Sequence, residues 1–206
     1  MKPWLFDILA CPMDKHYPLR LYIFKYETPF EIEAFLKVYN DKDINLIKRE
    51  SLIEIEETPE GIFIKDGVVI KNTSLLEYFT LINRSIIELE FIYDRTGDSL
   101  NSKAFTLLTT EIKEKIKNFS EKNEINNLDE ILPELYFLNK IKLDIEIETG
   151  LLFCEECNRW FPIIDTIPQM LPDEFRNKEN DLEFLKNHKN LFDPEFFQQN
   201  LKPFNL

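Results

Sequence analysis

Apolar and polar positions change period several times along the chain, and each change marks an element. Trp4, Leu5, Ile8 and Leu9 recur at helical spacing, and Pro12 lies just beyond the stretch, where helices stop. From Tyr17 to Tyr26 the period drops to two. Leu19, Leu21 and Ile23 alternate with Arg20, Tyr22 and Phe24, and the aromatic members of the second set predict a strand covered on both faces. Residues 29–38 return to three- and four-residue steps and predict a helix. Ser51–Glu57 reads as a strand, and Gly61–Lys71 reads as a hairpin turning at Asp66-Gly67. Ser74–Ile82 is expected to be helical, with Ser74 or Thr73 as N-cap and Glu77 completing a capping box. Ile86–Tyr93 alternates as a strand. Helices are expected over Asp98–Leu108, Thr109–Phe119 and Leu128–Leu138, the last open to interruption at Pro133.

Later in the chain, Ile141, Leu143, Ile145 and Ile147 alternate with charged residues, so Lys140–Glu148 is expected to be a half-buried strand. Thr149-Gly150 would turn it, and Leu151–Cys154 would return as its partner. Trp160–Ile164 is a short, nearly all-apolar strand. Trp160, Phe161, Ile163 and Ile164 cannot alternate in and out. Either both faces are buried within the chain or one is covered by another protein. The prolines of Ile167–Pro172 exclude helix. From Asp173 the chain is polar and helical, with Leu182, Phe184, Leu185, Leu191, Phe192, Phe196 and Phe197 spaced to dock on a surface.

Composition narrows the function. The 206 residues carry a formal charge of −13, with a pI near 4.7. So acidic a surface repels phosphate backbones, and any involvement with nucleic acid is expected to run through a partner. The chain has four scattered glycines, Gly61, Gly67, Gly97 and Gly150. Loops that cradle phosphate, a dinucleotide or S-adenosylmethionine need several glycines close together, so these functions are not expected. No signal-peptide pattern is visible, and no stretch reaches the roughly 18 apolar residues of a membrane span, so a cytoplasmic location is expected.

The chain has three cysteines, too few and too odd a number for a secreted disulfide framework. Cys154-Glu155-Glu156-Cys157 is a knuckle that brings two thiolates to one ion if the chain turns sharply after Cys157. The residue there is Asn158, which tolerates the left-handed conformation such a turn needs. Cys11 supplies a third sulfur. Asp14, at the same three-residue step, and His16, chemically the better zinc ligand, compete for the fourth place. Burial of the cysteines as small hydrophobes is a blander reading, but an acidic tip belongs at an exposed turn. A redox dithiol fits poorly, because the intervening acids raise a thiol pKa.

The two ends of the chain resemble a known family, the small zinc-binding activator subunit shared by several methyltransferases. The resemblance is carried by Leu5–Pro12 and Pro18–Leu21 near the start. Later it is carried by Gly150–Cys154, Cys157, Arg159, Phe161-Pro162-Ile163, Ile167-Pro168 and Met170-Leu171. It implies an α+β fold: a small split zinc-binding domain, a zinc-ribbon-like sheet plus an N-terminal helix, interrupted by an inserted domain. The expected boundaries are 1–27 with 140–172 for the zinc domain, 28–139 for a mixed helix and strand insertion, and 173–206 for a helical tail. The resemblance further implies no catalysis, one zinc ion, and heterodimers with methyltransferases of tRNA, ribosomal RNA or a release factor. The pairing strand would be Trp160–Ile164 (Trp160, Phe161, Pro162, Ile163, Ile164), flanked by Ile167, Pro168, Met170 and Leu171. Two other functions are open on the residues: a zinc-ribbon-like scaffold of translation or transcription machinery, and a metal-dependent hydrolase with His16 as base. The second is disfavoured because His16 and His188 are the whole histidine complement.

Overall fold

The computed structural model describes residues 1–28, 30–122 and 127–206. In chain order the principal elements are α1 (Pro3–Phe6), β1 (Arg20–Tyr26), α2 (Glu31–Asp41), α3 (Ile44–Glu50), β2 (Glu54–Thr58), β3 (Gly61–Lys65), β4 (Thr73–Ser74), α4 (Leu75–Glu88), β5 (Ile92–Asp94), α5 (Ser99–Leu107), α6 (Lys113–Ser120), α7 (Leu132–Leu143), β6 (Ile147–Cys154), β7 (Arg159–Ile164), β8 (Ile167–Pro168) and α8 (Lys178–His188). The chain is α+β, as the resemblance implies. It divides into two compact units: Met1–Thr28 with Phe91–Ser99 and Glu146–Leu206, and Pro29–Glu90 with Leu100–Ile145.

The first unit is built on a five-stranded sheet of order β5-β1-β6-β7-β8. β1 lies antiparallel to β6 and parallel to β5, so three remote segments share one ladder. Both faces of β1 are covered, as its aromatic alternation predicts: Leu21 and Ile23 are fully buried, and Tyr22, Phe24 and Tyr26 nearly so. Residues 173–206 are part of this unit. Phe184, Leu185, Phe192, Phe196 and Leu201 pack with Tyr22, Phe24, Leu151, Phe153 and Trp160 in one cluster. Phe192 and Phe196 stack at 4.2 Å between ring centroids, and Phe153 meets Phe196 edge-on at 5.2 Å. The spacing of the tail aromatics is thus the spacing of a docking face.

The second unit pairs a three-stranded sheet, β2-β3-β4, with helices α2 to α7. Its polar centre is Asp66, whose carboxylate accepts from the amides of Val68 and Val69, from Tyr78 Oη at 2.6 Å and from Asn139 Nδ2 at 2.8 Å. Asp66-Gly67 therefore opens a seven-residue loop, 66–72, that returns the chain antiparallel as β4, rather than a tight two-residue turn. The tight hairpin turns between Thr58 and Gly61, and Val68–Ile70 lies outside any strand.

Other expectations shift for local reasons. Residues 86–88 finish α4, and only Ile92 and Tyr93 of the expected strand Ile86–Tyr93 are extended, in β5. The helices expected over Asp98–Leu108 and Thr109–Phe119 run on through a π-turn at Leu108–Ile112. Pro133 sits in the first turn of α7 rather than breaking it, because its missing N–H falls where no intrahelical acceptor exists. Lys140–Leu143 ends that helix and is not strand. In the first unit, α1 is shorter than expected and buries Pro3 and Phe6, leaving Trp4 and Ile8 exposed. The helix start read at Pro29 lies outside the described residues.

Thr149-Gly150 does not turn the chain either; β6 runs straight through it. A β-carbon on Gly150 would stand 2.6 Å from the carbonyl oxygen of Tyr22, so the glycine permits close approach of β1. Gly150→Ala is therefore expected to destabilise the first unit by about 1–3 kcal/mol, the usual cost of overpacking. Denaturant unfolding followed by Trp160 fluorescence measures it, and an unchanged midpoint would mean that the strands can part freely.

Candidate metal centre

Two turns of the first unit face each other. The first follows α1: the Cys11 amide donates to the His16 carbonyl, and the Lys15 amide donates to the Cys11 carbonyl at 2.9 Å. Lys15 takes φ 64° to close this turn. The second links β6 to β7, and Asn158 adopts φ 55°, the left-handed conformation anticipated from its side chain. Each turn aims amides at a sulfur. Those of Asp14 and Met13 point to Cys11, and those of Cys157 and Glu156 point to Cys154.

The turns bring Cys11, Asp14, Cys154 and Cys157 together, with one ligand atom from each lying within 4.8 Å of all the others. Cys11 Sγ and Cys157 Sγ are 3.7 Å apart across 146 positions of sequence. Cys154 Sγ stands 3.6 and 3.5 Å from the two Asp14 oxygens. A tetrahedral ion with metal–sulfur bonds of about 2.3 Å and a metal–oxygen bond of about 2.0 Å has sulfur–sulfur edges of about 3.8 Å and sulfur–oxygen edges of about 3.5 Å. These edges match the two found here, so the four side chains could hold one tetrahedral cation, with Asp14 rather than His16 as the fourth ligand. The His16 imidazole is outside the group; its amide instead donates to Asp14 Oδ1 at 3.0 Å.

All three cysteines are free thiols, and Cys11 and Cys154 are fully buried. Burial pushes the Cys154 thiol well above its ordinary pKa, against the opposing pull of the Cys157 amide. Cys11 is raised by burial in the same way. Burial also acts to raise Asp14, but the His16 amide and the three thiols outweigh it and hold the carboxyl well below the usual carboxylate range. Metal binding at Cys11 and Cys154 would therefore release thiol protons.

In the sequence Arg159 stands out only as one residue of the family resemblance. Its guanidinium bonds the Cys157 sulfur and clamps Asp173 through Nε at 3.1 Å and Nη2 at 2.9 Å. Positive charge beside a site rich in thiolate offsets the site's negative charge. An acid 14 residues downstream cannot be paired with Arg159 from spacing alone.

The candidate partner strand splits in two. Trp160, Phe161 and Ile163 are fully buried and Pro162 is buried, so they belong to the core. Trp160 lies beneath the Arg176 guanidinium, at 4.7 Å from its ring centroid. Ile164, Ile167 and Leu171 are exposed, and Pro168 and Met170 are half-buried. Phe175, which the sequence did not single out, is 70% exposed.

A family model described as Trm112p-like protein matches residues 2–165, a span that takes in both turns of the metal centre. No curated protein and no solved structure matches the chain.

Asp14→Ala is expected to weaken binding of a divalent metal by more than about tenfold, since even outer-shell changes cost 10–100-fold. His16→Ala is expected to leave it unchanged. Competition with a chromophoric chelator measures both, and the opposite order would assign the fourth place to His16.

Proposed function

The chain belongs to the Trm112p-like protein family, and from that membership we propose that it is a non-catalytic subunit that binds, stabilises and activates S-adenosylmethionine-dependent methyltransferases. The substrates of those enzymes would be tRNA, ribosomal RNA or a translation release factor. The observation that carries this reading is the closed ligand set. Three thiols and one carboxylate would supply all four ligands of a tetrahedral cation from the protein alone, as in structural zinc sites, whereas catalytic zinc keeps one position for water or substrate. Cys11, Asp14, Cys154 and Cys157 would hold the zinc and lock together the two ends of the split unit.

The docking surface would be the exposed half of the expected contact: Ile164, Ile167, Pro168, Met170 and Leu171, extended by Phe175. Ile167 is 59% exposed on β8, the outermost strand of the sheet. Apolar side chains on an edge strand suit addition of a strand from another protein, which gains main-chain hydrogen bonds and buries those side chains together. A methyltransferase with an apolar edge of its own would be protected from aggregation by the same contact. The charge of −13 leaves nucleic-acid binding to the partner. Among the described residues no helix is long and apolar enough to cross a membrane.

Purification of the tagged chain from its own cell, followed by mass spectrometry, is expected to recover a methyltransferase in a one-to-one complex. Ile167→Asp and Leu171→Asp leave the core untouched and are expected to abolish recovery. Capture of translation or transcription proteins without a methyltransferase would favour the scaffold reading instead.

A further inference from the structure

β7 has no free edge. One side pairs with β6. On the other side the Trp160 amide donates to the Lys202 carbonyl at 3.1 Å, and the Lys202 amide donates to the Asn158 carbonyl at 2.8 Å, a parallel bridge of one residue pair. The Trp160 carbonyl accepts from Arg176 Nη1 at 2.9 Å. Pro162 has no N–H to offer, and its carbonyl accepts from the Gln169 amide at 2.8 Å. Ile163 and Ile164 pair with β8. Every partner on this second side of β7 lies beyond residue 165, where the family match ends.

The last of these segments has a slight hold. Leu201 is buried in the aromatic cluster, and Trp160 Nε1 donates to the Phe204 carbonyl at 3.0 Å. Around these two anchors Lys202, Asn205 and Leu206 are exposed. One ladder pair, one indole hydrogen bond and one buried leucine hold it, and an incoming strand would meet the same two backbone groups, the Asn158 carbonyl and the Trp160 amide. An open edge at the same place would be a template for pairing with any chain, including a second copy.

We propose that residues 199–204 are a cap in cis: they occupy a strand-docking edge at Asn158–Trp160, and a strand of the methyltransferase partner displaces them when the complex forms. The proposal rests on the activator reading above and adds to it a second, latent stretch of interface. The Trp160 amide would exchange one acceptor for another, whereas the Lys202 amide would lose its acceptor. In the free protein the cap would prevent self-association through the same edge.

Hydrogen exchange and affinity together test this. With the methyltransferase recovered by purification, amides of residues 199–206 are expected to lose protection in the complex while Trp160 keeps it. Removal of residues 199–206 is expected to tighten the complex about tenfold. Leu201→Ser, which loosens the cap without shortening the chain, should tighten it severalfold should the truncated chain fail to fold. Protection of Lys202 retained in the complex, or an affinity unchanged by either variant, overturns the proposal. Recovery of no methyltransferase would sink the activator reading and with it the identity of the displacing strand. The cap itself is then judged on the isolated protein. The truncated chain, or Leu201→Ser, is expected to associate with rising concentration in sedimentation, and a peptide of residues 199–206 should reverse it. A variant that stays monomeric overturns the cap.

Discussion

Two sulfur atoms 3.7 Å apart, from Cys11 and Cys157, mark the constraint on which the first unit depends: its beginning and its late segment must meet. Bringing together positions so far apart in sequence carries a loop-closure cost that grows slowly with loop length. Two devices offset it. One is the sheet, where β1 receives β6 on one side and β5 on the other. The other is the pair of facing turns, which converge four ligands on one point. Burial raises the Cys11 and Cys154 thiols, so a cation would displace their protons. A metal would therefore add its binding free energy to folding and couple the closure to pH.

Much of this arrangement was legible because its signals are local. Three-residue steps between ligands, an asparagine able to turn left-handed and an aromatic-lined strand each lie within about ten residues. They gave β1, β7, the knuckle and the docking face of the tail. The choice of Asp14 over His16 was not settled locally. The turn that begins at Cys11 closes through the backbone of His16, which gives its carbonyl to Cys11 and its amide to Asp14. The backbone thereby fixes His16 beside the site rather than in it.

What escaped the sequence was set by remote contacts. Residues Leu132–Asn139 of α7 are buried on every side, so the helix has no polar face, and its C-terminal residues mimic a strand's alternation. Asp66-Gly67 carries the residues of a tight turn, but Tyr78 and Asn139 recruit the carboxylate into a buried network. Gly150 looks like a turn residue, and only the carbonyl of Tyr22 explains it. β5 is three residues long and gains its identity from pairing with β1. The apolar run at β7 posed a choice between core and interface, and the structure divides it: core through Ile163, exposed surface from Ile164 onward.

The account is tested most directly by X-ray absorption at the zinc edge of the metal-loaded full chain. It predicts a shell of three sulfurs at about 2.3 Å and one oxygen at about 2.0 Å, with no imidazole scattering. A shell of two sulfurs, leaving Cys11 outside it, would contradict the meeting of the two ends on which the rest is built.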